Sequence, residues 1–348
     1  MTLKNVWLDA DPGHDDATAI MLAVHCENIH LLGISTTHGN TDSTCTAINA
    51  ARCLLAFGAP THLRVYPGAS KPLIVPTRHD PEIHGPDGLG GVEGLPGAGD
   101  PAVLALIARD GEGSPIRALD GMSRHIKANW KGGLGSKTTI ISSGPMTNLA
   151  LFVSVYPELL EAIEEFVFMG GGVGLGNRSS VAEFNILCDP HATQIVLNAN
   201  VPTVMIPLNV THTAIVTKEI REKLLATNSK TTPLRHTLST LINFFAESYK
   251  STFGFVDGPP LHDALTVAYV ANPQLFKAKR YRVDVELAPS HTIGETVVDI
   301  WDYQKASDDT WGPGGKNCIV TESLDVKELF KLLLECVSRC DAVSPLNK

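Results

Sequence analysis

Asp9, Asp11, Asp15 and Asp16 fall within eight residues, in the run Val6-Trp7-Leu8-Asp9-Ala10-Asp11-Pro12-Gly13-His14-Asp15-Asp16-Ala17. Carboxylates at this density repel one another unless a proton or a cation relieves them. Donors that are all oxygen suit a hard divalent cation, calcium or magnesium, better than zinc. A plainer reading makes each Asp a helix cap or turn residue, which accounts for one such residue far more easily than for four. The segment predicts a divalent-metal site at the end of a first strand.

Their spacing divides the labour. Asp9 and Asp11 alternate along a strand and share a side. Pro12-Gly13 makes a turn, and Asp15 and Asp16 open a helix, where neighbours diverge by about 100°. One can hold the ion while the other holds something beside it, and acids at a helix start also suit its dipole. Two further clusters could join them. Glu183 and Asn185, two residues apart in Ala182-Glu183-Phe184-Asn185, could grip vicinal hydroxyls, the amide donating and the carboxylate accepting. Gly258-Pro259-Pro260-Leu261-His262-Asp263-Ala264 sets His262 and Asp263 at the start of an apolar helix, where Asp263 can add a carboxylate from across a cleft.

The elements that must position these groups alternate. Strands are predicted over Val6–Leu8, Leu31–Ser35, Thr138–Ser142, Phe166–Met169 and Thr203–Ile206, with helices over Asp16–His25, Ser43–Phe57, Thr147–Val155 and Pro190–Asn198. Further helices are predicted over Lys218–Thr227, Leu234–Ser251 and His262–Val270, further strands over Arg282–Leu287, Thr296–Trp301 and Cys318–Thr321, and a last amphipathic helix near Val326–Val337. The alternation predicts an α/β fold, a Rossmann-like, open and mostly parallel sheet flanked by helices. No repeat or linker divides residues 1–348, so a single domain is expected. Ligands of such sheets bind beyond the carboxyl ends of the strands, where Asp9–Asp16, Ser142-Ser143 and the glycine run after Met169 all fall. The Gly/Pro-rich stretch from Pro67 to Pro101 is the expected loop over the site.

Bulk composition sets limits. Of 348 residues, 43% are hydrophobic and 19% charged, ordinary for a globular enzyme. A formal charge of -9 argues against a nucleic-acid partner. Seven cysteines, with no Cys-x-x-Cys pair, suit reduced thiols in the cytoplasm better than a disulfide framework. The first residues lead straight into a core strand, so no signal peptide is expected. No apolar run approaches the roughly 20 residues of a membrane helix.

Several signatures fail. Gly170–Gly176 does not satisfy G-x-G-x-x-G, Gly133–Thr138 lacks the Gly-Lys order of a P-loop, and no G-x-S-x-G elbow occurs. Asp9-Ala10-Asp11 fits the Asp-x-Asp of haloacid-dehalogenase-type phosphatases superficially. However, Pro12-Gly13 follows at once, and the remaining parts of that pattern have no clear place. The phosphatase stays as an alternative, as does a non-catalytic nucleoside-binding protein.

Taken together, the motifs resemble the inosine–uridine-preferring nucleoside hydrolase family nearly end to end. They are DADPGHDDA, Thr37-His38-Gly39-Asn40, Ser143-Gly144-Pro145-Met146-Thr147-Asn148-Leu149-Ala150, Phe168-Met169-Gly170-Gly171-Gly172, Ala182-Glu183-Phe184-Asn185 and His262-Asp263-Ala264. The general form is similar to fungal uridine nucleosidases. The resemblance implies the nucleoside hydrolase fold, one bound calcium (Ca2+) and hydrolysis of the N-glycosidic bond of ribonucleosides in pyrimidine and purine salvage. It implies Asp11, Asp16 and Asp263 as calcium ligands, with the backbone carbonyl of Ser143, where the family usually has Thr. Asp15, Asn40, Glu183 and Asn185 would hold the sugar, with Met169 beneath it and Asn177 near its 5′ end. Asp11 would take the proton of a water acidified by calcium. His262 is the candidate donor to the leaving base, and His84 is expected to approach that base from the long loop. His14 is read as structural. Phe245, Tyr249 and Phe253 could stack on the base. A homodimer or homotetramer is expected from the resemblance alone.

Overall fold

In the computed structural model, residues 3–225 and 231–348 are described. The sheet grows outward from its first strand, β1 (Lys4–Ala10), whose residues alternate between two apolar layers. Val6, Leu8 and Ala10 face helices His14–His25, Ser43–Ala56, Ala264–Ala271 and Val326–Val343. Trp7 faces the other way, into a layer shared with Met122, Leu149, Phe152 and Val196 from helices Ala118–Trp130, Thr147–Val155 and Pro190–Leu197. Helices on both faces are the condition for a parallel sheet.

The remaining strands are β2 (Ile29–Thr36), β3 (Val65–Pro67), β4 (Thr138–Ser142), β5 (Ile163–Met169), β6 (Thr203–Ile206), β7 (Phe276–Tyr281), β8 (Val283–Val285), β9 (Thr296–Val298) and β10 (Cys318–Leu324). Eight of them form one sheet in the order β3-β2-β1-β4-β5-β6-β10-β7, parallel except for the β10–β7 pair. Consecutive strands run outward from β1 on one side and from β4 on the other. The crevice between those two carboxyl ends is the topological switch point where such sheets bind ligands.

Several differences from the sequence-based expectations lie away from that crevice, while two short helices not expected, Pro81–His84 and Phe184–Cys188, stand at it. Arg282–Leu287 and Thr296–Trp301 shrink to β8 and β9, which pair with each other as a separate antiparallel ribbon. The edge strand β7 escapes the pattern because its middle, Lys277-Ala278-Lys279, is exposed and partly charged, which blunts an edge. The three-residue β3 and the helix Ala118–Trp130 were also not legible. That helix carries Gly121 at the end of its first turn, where a Cβ would come within 2.4 Å of the Tyr66 ring. The helix predicted over Lys218–Thr227 runs over Lys218–Leu225, and its last two predicted residues, 226 and 227, lie outside the described residues.

Candidate active site

Asp11 is the first residue past β1 and is almost wholly buried. Its Oδ2 accepts the Asn40 backbone N–H at 2.8 Å, while Asn40 Nδ2 donates to the Asp11 carbonyl at 3.1 Å and to Asp16 Oδ2 at 3.2 Å. Two glycines make room for the carboxylate. A Cβ on Gly39, whose φ is +154°, would lie 1.9 Å from Oδ2, and one on Gly144 would lie 2.5 Å from Oδ1. The Thr-His-Gly-Asn and Ser-Gly-Pro segments thus wrap one acid. Asp11 Oδ1 is left buried with no hydrogen-bond partner among the described residues.

Beside it, ligand oxygens of Asp15, Asp16 and Asp263 lie within 4.8 Å of one another. Asp16 is fixed by the Gly13 N–H at 3.0 Å on Oδ2 and by the Ser143 hydroxyl at 2.7 Å on Oδ1. The Ser143 carbonyl accepts Asn185 Nδ2 at 2.9 Å and retains a second lone pair. Burial raises all four carboxyl pKa values. Asp15 reaches about 7 through burial and then the Asp16 charge. Asp11 stands well above the usual range through burial and then Asp16. Asp263 does so through burial and then the charges of Asp15, Asp16 and Asp11. Asp16 is raised by burial against the pull of its hydrogen bonds.

Uncompensated hard-oxygen donors and an orphaned Asp11 oxygen are what a divalent cation would satisfy, so these residues fit a metal. The trio whose oxygens converge contains Asp15, which the resemblance gave to the sugar, and does not contain Asp11, whose carboxylate is turned onto the Asn40 N–H.

The wall next to the acids is amide, carboxylate and thioether. Glu183 caps the short helix Phe184–Cys188, accepting Asn185 N–H at 2.9 Å and Ile186 N–H at 3.2 Å, and it also accepts Gly171 N–H at 3.0 Å. Burial brings its carboxyl to about 7 against these donors. Asn185 Nδ2 also reaches the Met169 carbonyl at 3.3 Å, and Asn177 Oδ1 accepts the Phe184 N–H at 2.9 Å. Asp15, Asn40, Ser143, Met169, Asn177, Glu183, Asn185 and Asp263 all line one cleft with His84 and His262.

Across the cleft, His262 Nδ1 meets Thr211 Oγ1 at 2.8 Å and Nε2 meets the Tyr249 hydroxyl at 2.8 Å. Burial and the neighbouring His212 push the His262 pKa well down, so its ring is neutral. Burial holds the Tyr249 phenol well above its usual range, so it keeps its proton. His84 reaches the cleft from the short helix Pro81–His84 inside the long loop. Behind it, His14 Nδ1 lies 3.3 Å from His84 Nδ1, His14 Nε2 lies 2.9 Å from the Gly90 carbonyl, and the His14 ring stacks on Phe244.

Sequence reasoning missed Asp80 and Arg178, which no motif marks. Arg178 Nε donates to Asp80 Oδ2 at 3.0 Å, joining the long loop to the glycine-rich loop across the cleft, and its guanidinium sits 5.3 Å from the centre of the Phe253 ring. Tyr249 and Phe253 line the cleft, whereas Phe245 packs behind it against Ile83 and Tyr249. Asp9 lies outside the cleft: its Oδ1 takes the Ser35 hydroxyl and Asn148 Nδ2, and its carboxyl, raised by burial to about 7, is fully enclosed.

Comparisons with known proteins give the class that this cleft chemistry suggests, hydrolases acting on ribonucleosides. The profile described as inosine-uridine preferring nucleoside hydrolase matches residues 6–331. A probable ribonucleoside hydrolase of Dictyostelium discoideum is 35% identical over 342 residues, 97% of this chain and 95% of that protein. A pyrimidine-specific ribonucleoside hydrolase of Shewanella woodyi is 36% identical over 296 residues, 85% of this chain and 88% of its own. The solved structure of a purine-preferring ribonucleoside hydrolase from Gardnerella vaginalis superposes with a TM-score of 0.81 at 26% identity, covering 98% of this chain and all of that one. The chain belongs to the inosine-uridine preferring nucleoside hydrolase family. It is an N-glycosyl hydrolase, and the phosphatase and the inactive binding protein fall away.

Proposed function

We propose that this enzyme hydrolyses uridine, and with it inosine and other purine ribonucleosides, to ribose and free base, using calcium held by Asp11, Asp16, Asp263 and the Ser143 carbonyl. Asp15 stands close enough to the Asp16–Asp263 pair to share the ion or to bridge from it to the ribose hydroxyls. When bound, calcium supplies the positive charge that acidifies a neighbouring water and orients the 2′ and 3′ hydroxyls. The reading rests chiefly on the uncommitted Oδ1 of Asp11, a base with no other employment, beside that acidic trio.

Asp11 accepts the proton of the attacking water as its oxygen bonds to C1′. The C1′–N bond breaks with its electron pair going to the base. Positive charge gathers on the sugar meanwhile, and the carboxylates around it stabilise that charge. Asn40, Glu183 and Asn185 orient the ring from the sides, Met169 lies beneath it and Asn177 stands at its 5′ end. The departing base takes a proton delivered through His262, with the Tyr249 hydroxyl, 2.8 Å away, in position to pass it on. His84 contacts the base from the loop side. Seven free thiols support work in a reducing compartment such as the cytoplasm. A homodimer or homotetramer rests on the family resemblance.

Incubation with uridine, inosine and 2′-deoxyuridine tests the assignment by ribose release. Uridine is expected to be cleaved and 2′-deoxyuridine rejected by a factor on the order of a thousand or more in kcat/KM, because lost hydroxyls leave buried polar groups unpaired. Equal cleavage of the two would contradict the grip on the sugar diol.

A further inference from the structure

We propose that Cys26 and Cys336 form a hydroperoxide-responsive thiol pair that closes into a disulfide and ties the acid-bearing helix to the last helix of the chain. Cys26 follows directly on helix His14–His25, and Cys336 lies midway along Val326–Val343. Their sulfurs sit 3.6 Å apart although 310 residues separate them. A disulfide needs about 2.05 Å, so helices already in contact close the gap with a small shift.

Arg339 makes the pair asymmetric. Its Nη2 lies 3.2 Å from Cys336 Sγ, while its Nε donates to the His25 carbonyl at 2.7 Å and so anchors the guanidinium between the two helices. A fixed positive charge and a neighbouring thiol donor favour the thiolate at Cys336, whose pKa is lowered, first by the Cys26 hydrogen bond and also by Arg339. Cys26 moves the other way and keeps its proton. The remaining thiols are poor candidates: Cys45, Cys53, Cys188, Cys318 and Cys340 are all raised, with burial the largest cause. Both pair members are buried, Cys336 completely, and a groove lined by their chain neighbours Glu27 and Glu335, with Asn28, Asn272 and the partly exposed Arg339, passes next to them without reaching either sulfur. Only an oxidant close to water in size, such as hydrogen peroxide, reaches sulfurs so enclosed, through local opening beside Arg339.

The chemistry balances in two steps. The Cys336 thiolate attacks hydrogen peroxide; an S–O bond forms, the O–O bond breaks, and the departing hydroxide takes a proton from solvent to become water. The Cys26 sulfur then attacks the Cys336 sulfur; the S–S bond forms, the S–O bond breaks, and the proton of Cys26 leaves with the hydroxyl as a second water. Two thiols lose two electrons and one peroxide gains them. The loop closed is nearly the whole chain, so the crosslink restricts the unfolded ensemble strongly.

The test treats the full-length reduced enzyme with a small excess of hydrogen peroxide, blocks free thiols, and maps peptides without reduction. A Cys26–Cys336 crosslinked peptide is expected. With it should come an upward shift of the unfolding midpoint on the order of 5 °C, reversed by dithiothreitol. Cys336→Ser should abolish both effects. Cys26→Ser should leave a sulfenic acid on Cys336 that dimedone traps, without the midpoint shift. Failure to find the crosslink, a crosslink between other cysteines, or the same shift in Cys26→Ser would each overturn the proposal.

Discussion

The Tyr249 hydroxyl lies 2.8 Å from Nε2 of His262, and Thr211 Oγ1 occupies the other ring nitrogen at the same distance. Both nitrogens of the expected proton donor are therefore engaged, and the ring is neutral. A neutral imidazole bonded at both ends is well placed to relay a proton from one partner to the other. Tyr249→Phe is expected to lower kcat on uridine and inosine by roughly a hundredfold, within the range of general-acid effects. It should leave a riboside whose leaving group needs no protonation nearly untouched. Equal losses on both kinds of substrate would point to packing against Phe253 and His262 instead.

Asp11 carries an oxygen with no partner and another bonded to the Asn40 N–H. Asp11→Asn preserves an acceptor for that N–H and removes a desolvated acid, so its unfolding midpoint should match or exceed the parent's. Turnover should nevertheless fall by about a thousandfold or more, since an amide takes no proton from water. A variant that retains activity with unchanged stability would remove Asp11 as the base.

Calcium should stabilise the folded chain, because the unfolded chain cannot assemble Asp16 and Asp263, which are far apart in sequence. At about 100 times its dissociation constant the gain is about 2.7 kcal/mol. Asp16→Asn and Asp263→Asn are each expected to erase most of the calcium-induced rise in unfolding midpoint. Ser143→Ala should erase less, because it removes the hydroxyl bonded to Asp16 and keeps the backbone carbonyl. A full calcium response in both Asn variants would place the ion elsewhere.

The crevice was legible in the sequence because its chemistry sits in short runs at strand ends and at a helix start. DADPGHDD, Ser143-Gly144 and His262-Asp263 each read as a turn with donors attached, and they meet at one switch point. Assignments within the acids were harder to read. The Asp11 carboxylate, unlike that of Asp15, is oriented by the Asn40 N–H and by the room left by the missing Cβ atoms at Gly39 and Gly144, which no sequence pattern spells out. Asp80 and Arg178 were invisible because they meet only when two long loops are brought together, 98 residues apart in sequence. Phe245 illustrates the opposite failure: it shares a helix face with Tyr249 but stops one layer short of the cleft.

His38, beside the cleft segment at Gly39-Asn40, should make stability depend on pH below neutrality. It is fully buried, with Nε2 3.0 Å from Thr147 Oγ1, and that hydroxyl donates its own proton to Asp189 Oδ2 at 2.7 Å. Nε2 must then be the donor, leaving Nδ1 an acceptor without a partner among the described residues. Protonating Nδ1 would create a buried cation with nothing to receive its hydrogen, and burial accordingly lowers the pKa from 6.5 to about 4. The unfolded chain takes up this proton as pH falls through about 6.5, while the folded chain resists until about 4. Stability is therefore complete above the unfolded value and declines across that window, by up to about 3 kcal/mol. In urea melts between pH 7 and 4, His38→Gln should lose less stability than the parent by about that amount, even if it starts from a lower value at pH 7. Parallel curves for the two proteins would mean that His38 keeps an ordinary titration in the fold.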